Sequence, residues 1–417
     1  MSARRKRKGK GCLTAIVIWL IFMTVLGILA AIMLHQGIPQ RWAQELGKKH
    51  SPIPFQASNI SAEEVEKKYF YEMLTESEKV TYQEILQGIR EYNTEIYIRE
   101  TDLESIQKTI RYIMYDTPDI FWYDGSSTLI TYEESFFGEA HTIVEVQYSA
   151  SVEEIERQKQ EIEAVVAECL RLAPEGGEYE KIKYVYDYIV DTVEYDLEAP
   201  NNQNIYSVFV GKRSVCAGYA KAFQYLMERM DIFATYVVGT TNTGPEESMM
   251  GHAWNLVHCD GEYYYVDVTW GDPLFEVTES EMSVDEARKI MDATSYDYML
   301  CTSEELFRTH QLGEGIIMPE CVATINNYYR RNNMHYDEVD EQLFLQVLQN
   351  ALATRSNPVV FKFSDEAVFM EAKTCIMEEL VEIAARNHMS THDLRELYYY
   401  HQVNDNQYKL VIEWVYE

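Results

Sequence analysis

Three residues carry the chemistry this sequence could do. Cys216 lies in "SVCAGYAKAF", His252 in "GHAWNLV" and Asp267 in "YYYVDVTWGDP". A thiol, an imidazole and a carboxylate supply a nucleophile, a base and a group that orients the base, provided the fold brings them together in that order. Singly, each has a plainer reading: free cysteine is among the most often buried residue types, and a strand histidine commonly ends in an inert hydrogen bond. The elements that carry them have to decide.

Ser214 reads as a helix N-cap, and Ala220, Phe223, Met227 and Met230 follow at helical spacing, which puts Cys216 in the first turn. There the unpaired backbone N–H groups and the positive end of the dipole favour a thiolate and could also hold an oxyanion. "HCDGEYYYVDV" is a hairpin signal with Asp260-Gly261 as a two-residue type I′ turn. That register sets Trp254 opposite Asp267 and His252 opposite Thr269. With side chains alternating, His252, Trp254, Tyr265, Asp267 and Thr269 share one face, and His252 stands diagonal to Asp267 at roughly 7–8 Å, within reach of long side chains. The carboxylate would fix the ring tautomer while the other ring nitrogen takes the thiol proton. A slip of one residue would turn one strand over and separate the pair.

Together "SVCAGYAKAFQYLM", "GHAWNLV" and "YYYVDVTWGDP" resemble the core of the transglutaminase-like superfamily, cysteine enzymes with a papain-like arrangement. The resemblance covers about 180 to 275, and "NNQNIYSVF" upstream resembles the bacterial members. It implies Cys216 as nucleophile, His252 as base and Asp267 as orienter, on a helix packed against a sheet. It also implies an oxyanion or substrate-shaping side chain before the cysteine, for which Gln203 is the candidate, with a turn residue as its plainer reading. Tyr219 and Trp254 would line the cleft or serve as core. His258, Cys259 and Asp272 read as structural, since His258 beside Cys259 lacks a converging third metal ligand.

The flanks place this core. Residues 13–34, "LTAIVIWLIFMTVLGILAAIML", are uncharged and as a helix would span roughly 33 Å, the thickness of a bilayer's hydrocarbon. The basic tail 1–12 before them puts the N-terminus in the cytoplasm and the rest of the chain outside. A cleaved signal peptide is the rival reading, with a shorter apolar run and a better cleavage site expected of it. Residues 35–60 read as a juxtamembrane linker broken by Pro39, Pro52 and Pro54. The 417-residue chain has 68 Asp and Glu against 36 Lys and Arg, a formal charge of -32, which excludes the basic surface that nucleic-acid binding needs. Seven cysteines without paired spacing indicate neither a disulfide framework nor a zinc site. No loop of clustered carboxylates suggests calcium, and no cofactor or metal is expected.

Before and after the core, residues 61–150 read as a small α/β unit, with helices from Thr75 to about Tyr92 and from Asp102 to about Tyr115, then strands around Leu129 and over 142–148. Residues 151–319 form the expected catalytic domain, opening with helices over 151–172 and 178–194. Residues 320–417 read as a second α/β unit: a helix near 340–353, the strand "PVVFKF", a helix near 365–386 and a hairpin of "LYYYHQV" with "QYKLVIEWVY". The expected class is α+β, a papain-like/transglutaminase-like core between two small α/β units behind one transmembrane helix. The function that follows is acyl transfer or hydrolysis at amide bonds of protein or peptide substrates through a thioester. The other readings are an inactive core that binds cell-envelope partners, and a redox thiol, which the lack of a nearby resolving cysteine disfavours.

Overall fold

The computed structural model describes residues 22–29, 31–33, 35, 53–134, 139–242, 250–272 and 294–416. Of the expected membrane span, residues 22–29 and 31–33 are helical, and its remainder lies outside the described residues, as do the basic tail and most of the linker. Among the described residues no helix is long and apolar enough to cross a membrane.

The chain divides into two compact units. Among the described residues the first takes in the stretch up to Asn59, Glu76–Gln107 and Ser127–Val146; the second takes in Ile60–Thr75, Lys108–Ser126 and the chain from Gln147 onward. In the first unit, helix α1 (Glu76–Arg90) buries Tyr82, Ile85, Leu86 and Ile89 at helical spacing, and strand β1 (Glu95–Ile98) follows. Helix α2 (Leu103–Asp116) starts in this unit, at a turn where Asp102 Oδ2 accepts from Ser105 N, and from Lys108 it is part of the second unit. Strands β2 (Leu129–Glu133) and β3 (His141–Glu145) complete an antiparallel sheet of order β1-β3-β2. β1 is the strand that the alternation pattern around Leu129 and Thr142 does not announce.

From Gln147 onward the second unit continues with α3 (Val152–Leu172), whose N-cap Ser151 accepts from Glu154 N, and α4 (Glu178–Thr192). Two short strands, β4 (Glu194–Tyr195) and β5 (Arg213–Ser214), pair in parallel, with one π-helical turn over Ser207–Gly211 between them. Helix α5 (Cys216–Arg229) then packs on a five-stranded antiparallel sheet: β6 (Ala234–Thr241), β7 (Met250–Cys259), β8 (Glu262–Val266), β9 (Met299–Cys301) and β10 (His310–Leu312), in the order β10-β6-β7-β8-β9. Val237, Trp254, Leu256 and Tyr265 fill one core on this sheet, and Ala217, Ala220, Tyr236 and Ala253 form the seam under α5. Small side chains in that seam let the helix backbone come close to the strands.

Toward the C-terminus, β11 (His335–Tyr336), α6 (Glu341–Thr354), β12 (Val359–Phe363), α7 (Glu366–Cys375), α8 (Val381–His392), β13 (Tyr398–Asn404) and β14 (Lys409–Val415) build a second sheet of order β11-β12-β14-β13. Its helical face buries Phe344, Phe361, Phe363, Phe369 and Trp414. The expected terminal hairpin is present, paired from Tyr398↔Val415 to Asn404↔Lys409.

Candidate active site

Cys216 is the first residue of α5, as expected, but the cap is not. The N-cap is Val215, with no side-chain cap, because Ser214 Oγ is used elsewhere: it donates to Asn202 O at 2.8 Å and lies 2.7 Å from Ser207 Oγ. Backbone bonding of Val215 N to Asn202 O ties the same loop to the helix start. This close approach requires a glycine in the first turn, since a Cβ on Gly218 would run into Ser214 Oγ. The cysteine is thus presented at a helix end whose amides no side chain has capped, and it is partly exposed beside Ala220, Tyr236 and Ala253.

The hairpin that carries the other two residues forms with the expected register: Cys259 pairs with Glu262 and Asn255 with Val266. Asp260 and Gly261 both take positive φ, 51° and 92°, as a type I′ turn demands. The ladder ends sooner than expected. Asp267 Oδ1 accepts from Thr269 N at 3.0 Å and Trp270 N at 3.3 Å, folding Thr269–Gly271 into a 3-10 turn. Thr269 therefore does not face His252, whose cross-strand partner is Gly239 on β6. Released from the ladder, Asp267 swings to His252, and Nε2 to Oδ2 is 2.6 Å.

Nε2 being engaged, Nδ1 is the nitrogen left for the thiol. Cys216 is close enough to the ring to help raise its pKa. Burial of His252 disfavours the imidazolium, but the Asp267 charge, its hydrogen bond and the nearby Cys216 outweigh it, so the ring is held above its ordinary range. Burial likewise pushes Asp267 up, yet the two histidines against it hold it well below the usual carboxylate range. A cysteine at an open helix start, a cation-favouring imidazole and a buried carboxylate form one contiguous set.

This set falls inside residues 167–268, which match the family model described as Transglutaminase-like superfamily. Residues 167–268 belong to that superfamily. Among curated relatives, Kyphoscoliosis peptidase of Mus musculus is 26% identical over 118 residues, 26% of this chain and 18% of that protein. Its Homo sapiens counterpart is 24% identical over 136 residues, 30% of this chain and 20% of that protein. The chain thus spans about a fifth of the length of the curated relatives it matches. Two solved structures resemble it more loosely. A TGase crystal structure has 14% identity, covers 49% of this chain and 58% of its own, and has a TM-score of 0.26. The periplasmic domain of TgpA from Pseudomonas aeruginosa has 14% identity, covers 38% and 73%, and has a TM-score of 0.23.

Within the transglutaminase-like domain, the remaining expected residues fare differently. Tyr219 does not line a cleft: it is fully buried, its hydroxyl donating to Val193 O at 3.0 Å and Asp272 Oδ2 at 3.1 Å. Trp254 is fully buried too, its ring stacked on His252 at 6.0 Å as a wall behind the imidazole rather than a surface for substrate. A Cβ on Gly239 would strike that indole, so the glycine makes room for it. Gln203 is exposed, and what holds its loop is its carbonyl, which accepts from Lys221 Nζ at 3.2 Å. Asp272 has the structural role expected of it as acceptor for Tyr219, and Cys259 is buried beside Asn326 Nδ2 at 3.3 Å.

Two residues of the site escape the sequence pattern. Asn255 is fully buried on β7 and its Nδ2 donates to Ala220 O at 3.0 Å, tying the strand of the histidine to the helix of the cysteine. A single amide inside the apolar run "AWNLV" is the available signal. His310, on the edge strand β10, places Nε2 3.1 Å from Asp267 Oδ2. Nothing in the hairpin arithmetic reaches it, because β10 joins the sheet through β6 and from 43 residues beyond Asp267. The donor atoms of His252, Asp267 and His310 lie within 4.8 Å of one another, as do those of Glu178, Cys259 and Asp260, so either set has the ligand types to hold a cation. In the first set, two ring nitrogens on one carboxylate oxygen are satisfied as hydrogen bonds.

Proposed function

We propose that this protein is a cysteine enzyme that breaks amide bonds of protein or peptide substrates through a thioester. The observation that carries the reading is the 2.6 Å contact of His252 Nε2 with Asp267 Oδ2, which leaves the other ring nitrogen to a cysteine at a helix start. The Cys216 thiolate attacks the amide carbonyl carbon, a C–S bond forms, and the carbonyl electron pair moves to oxygen, toward the uncapped amides of the first turn. Collapse breaks the C–N bond while the imidazolium gives its proton to the leaving nitrogen. An amine or water then attacks the thioester, loses its proton to His252 and expels the thiolate. Asp267 holds the ring and offsets its charge throughout. Membership of residues 167–268 in the transglutaminase-like superfamily supports acyl transfer to an amine; the peptidase name of the mouse and human relatives supports water as acceptor.

The apolar run 13–34 behind a basic tail supports a single membrane anchor with the catalytic domain on the extracytoplasmic side. Protease added to intact cells then removes the body and leaves the tail.

The test uses the full chain and iodoacetamide near neutral pH, with the labelled cysteines mapped by mass spectrometry. Preferential labelling of Cys216 that disappears in His252→Ala supports the enzyme. Equal, slow labelling of all cysteines overturns it and leaves a binding module in its place. Glutamine-containing peptides with and without an amine then separate crosslinking from hydrolysis by ammonia release.

A further inference from the structure

Asp267 serves two histidines, and only one of them faces the thiol. His310 is fully buried, and its Nε2 shares Oδ2 with His252. The proton count fixes its form. Nε2 must donate to the carboxylate, so the neutral ring has a bare Nδ1, and that atom lies 2.8 Å from Thr309 Oγ1, which donates to it. Thr309 Oγ1 in turn accepts from the Tyr298 hydroxyl at 2.8 Å. Its competing acceptor, Leu306 O, is farther off at 3.3 Å. One line of hydrogen bonds thus runs from Tyr298 through Thr309 and His310 to the carboxylate.

We propose that His310 is a positioning residue: a neutral Nε2–H donor, its tautomer set by Thr309 and Tyr298, that pins Asp267 Oδ2 in the orientation His252 needs. Packing supports this, since the ring sits between Trp254 at 5.0 Å and Trp270 at 4.7 Å and has no room to turn. Burial keeps His310 below its ordinary range, against the pull of Asp267, so it stays uncharged where His252 is charged. The other titratable groups facing the cluster are Cys216, Tyr186, Tyr298 and Cys301. Burial raises both tyrosines and Cys301, so they remain neutral across the working range.

The proposal rests on Cys216 and His252 acting as a pair, and its test separates the two claims. His252 is titrated by long-range 1H–15N NMR, which needs no reactivity, and Cys216 alkylation by iodoacetamide is followed at pH 7. In His310→Phe, which keeps a ring but loses the donor, Oδ2 is no longer pinned toward the imidazole and the His252 midpoint moves down by roughly one unit. Alkylation falls roughly 10-fold, the size of one hydrogen bond to a charged group. His310→Gln, whose amide restores a donor, returns both toward the parent values, and Thr309→Val moves them partway to the Phe variant. If His310→Phe keeps the parent midpoint and alkylation rate and changes only thermal stability, His310 merely fills space and the proposal falls. If Cys216 is unreactive in the parent, the proposed function falls while the NMR comparison still decides the role of His310.

Discussion

Two of the buried aspartates of the second unit, Asp267 and Asp297, each face two nitrogen-bearing side chains, and only Asp267 sits at the proposed reactive centre. Asp267 is held by His252 and His310; Asp297 is held by Lys409, against its Oδ2, and by Lys362 Nζ at 3.7 Å from Oδ1. Both carboxylates are fully buried and both are held below the usual range despite burial, by the cations or ring donors beside them. The difference lies in the partners. A lysine spends its charge on the carboxylate and has no second atom to pass a proton on. Lys362 places its remaining donor capacity on Gln407 Oε1 at 2.7 Å, a closed structural knot. An imidazole has a second nitrogen, and His252 turns that nitrogen to a thiol. A buried carboxylate is therefore not in itself a sign of catalysis; the free end of its partner is.

The largest effects come from breaking the reactive cluster. Cys216→Ala abolishes thioester formation, and His252→Ala lowers turnover by roughly 10⁴-fold or more, as removal of a nucleophile or base does in enzymes of this type. Intact-mass trapping of an acyl-enzyme checks both.

The sharpest break of the comparison is a matched pair of substitutions. Asp297→Asn leaves Lys362 and Lys409 with uncompensated charge, a loss of about 3–5 kcal/mol in urea unfolding, with Cys216 reactivity per folded molecule unchanged. Asp267→Asn has the opposite profile: reactivity falls by orders of magnitude because the ring loses its charged partner. Equal profiles for the two would erase the distinction.

Titration sharpens it further. His252 has a folded value above its ordinary 6.5, so its contribution to stability is complete below pH 6.5 and fades as pH rises through the folded value. Asp267 is depressed below 3.8, so its contribution is present above that value and is lost as pH falls toward the folded one. His310 is depressed below 6.5, so the unfolded chain binds its proton first and stability declines as pH drops below 6.5. NMR at pH 7 should find His252 as imidazolium and His310 neutral. A neutral His252 in that spectrum contradicts the ion pair.

How much of this the sequence disclosed depended on distance along the chain. The hairpin at Asp260-Gly261 is local, and its turn chemistry fixed a register that proved correct, so His252 and Asp267 could be paired by counting. Helix α5 was equally local in its apolar stripe. What counting could not supply was competition for hydrogen bonds. Ser214 left the helix it was expected to cap because Asn202 O and Ser207 Oγ claimed its hydroxyl, and Asp267 ended the ladder early because its Oδ1 gathered two amides. Of the two readings the sequence leaves open for Tyr219 and Trp254, cleft or core, burial selects the core, since periodicity gives a face without saying what covers it. His310 was out of reach because its strand enters the sheet across β6 rather than through the hairpin.

The smallest expected effect concerns Gln203. Its side chain is the expected oxyanion partner, but the structure engages its carbonyl, which Lys221 Nζ binds at 3.2 Å, and leaves the residue exposed. Lys221 is itself pulled down to about 8 by burial, so this carbonyl bond is what its ammonium has to lean on, with Asp124 as its charged neighbour. A carbonyl is kept by any side chain. Gln203→Ala therefore leaves Cys216 alkylation and unfolding within about twofold and 0.5 kcal/mol of the parent, the range of exposed substitutions. Lys221→Met removes the anchor of the same loop and loosens the Asn202 contacts that present the thiol. A drop in turnover for Gln203→Ala as large as that for Lys221→Met would return the oxyanion role to the amide and show that the loop closes over the thioester when substrate is bound.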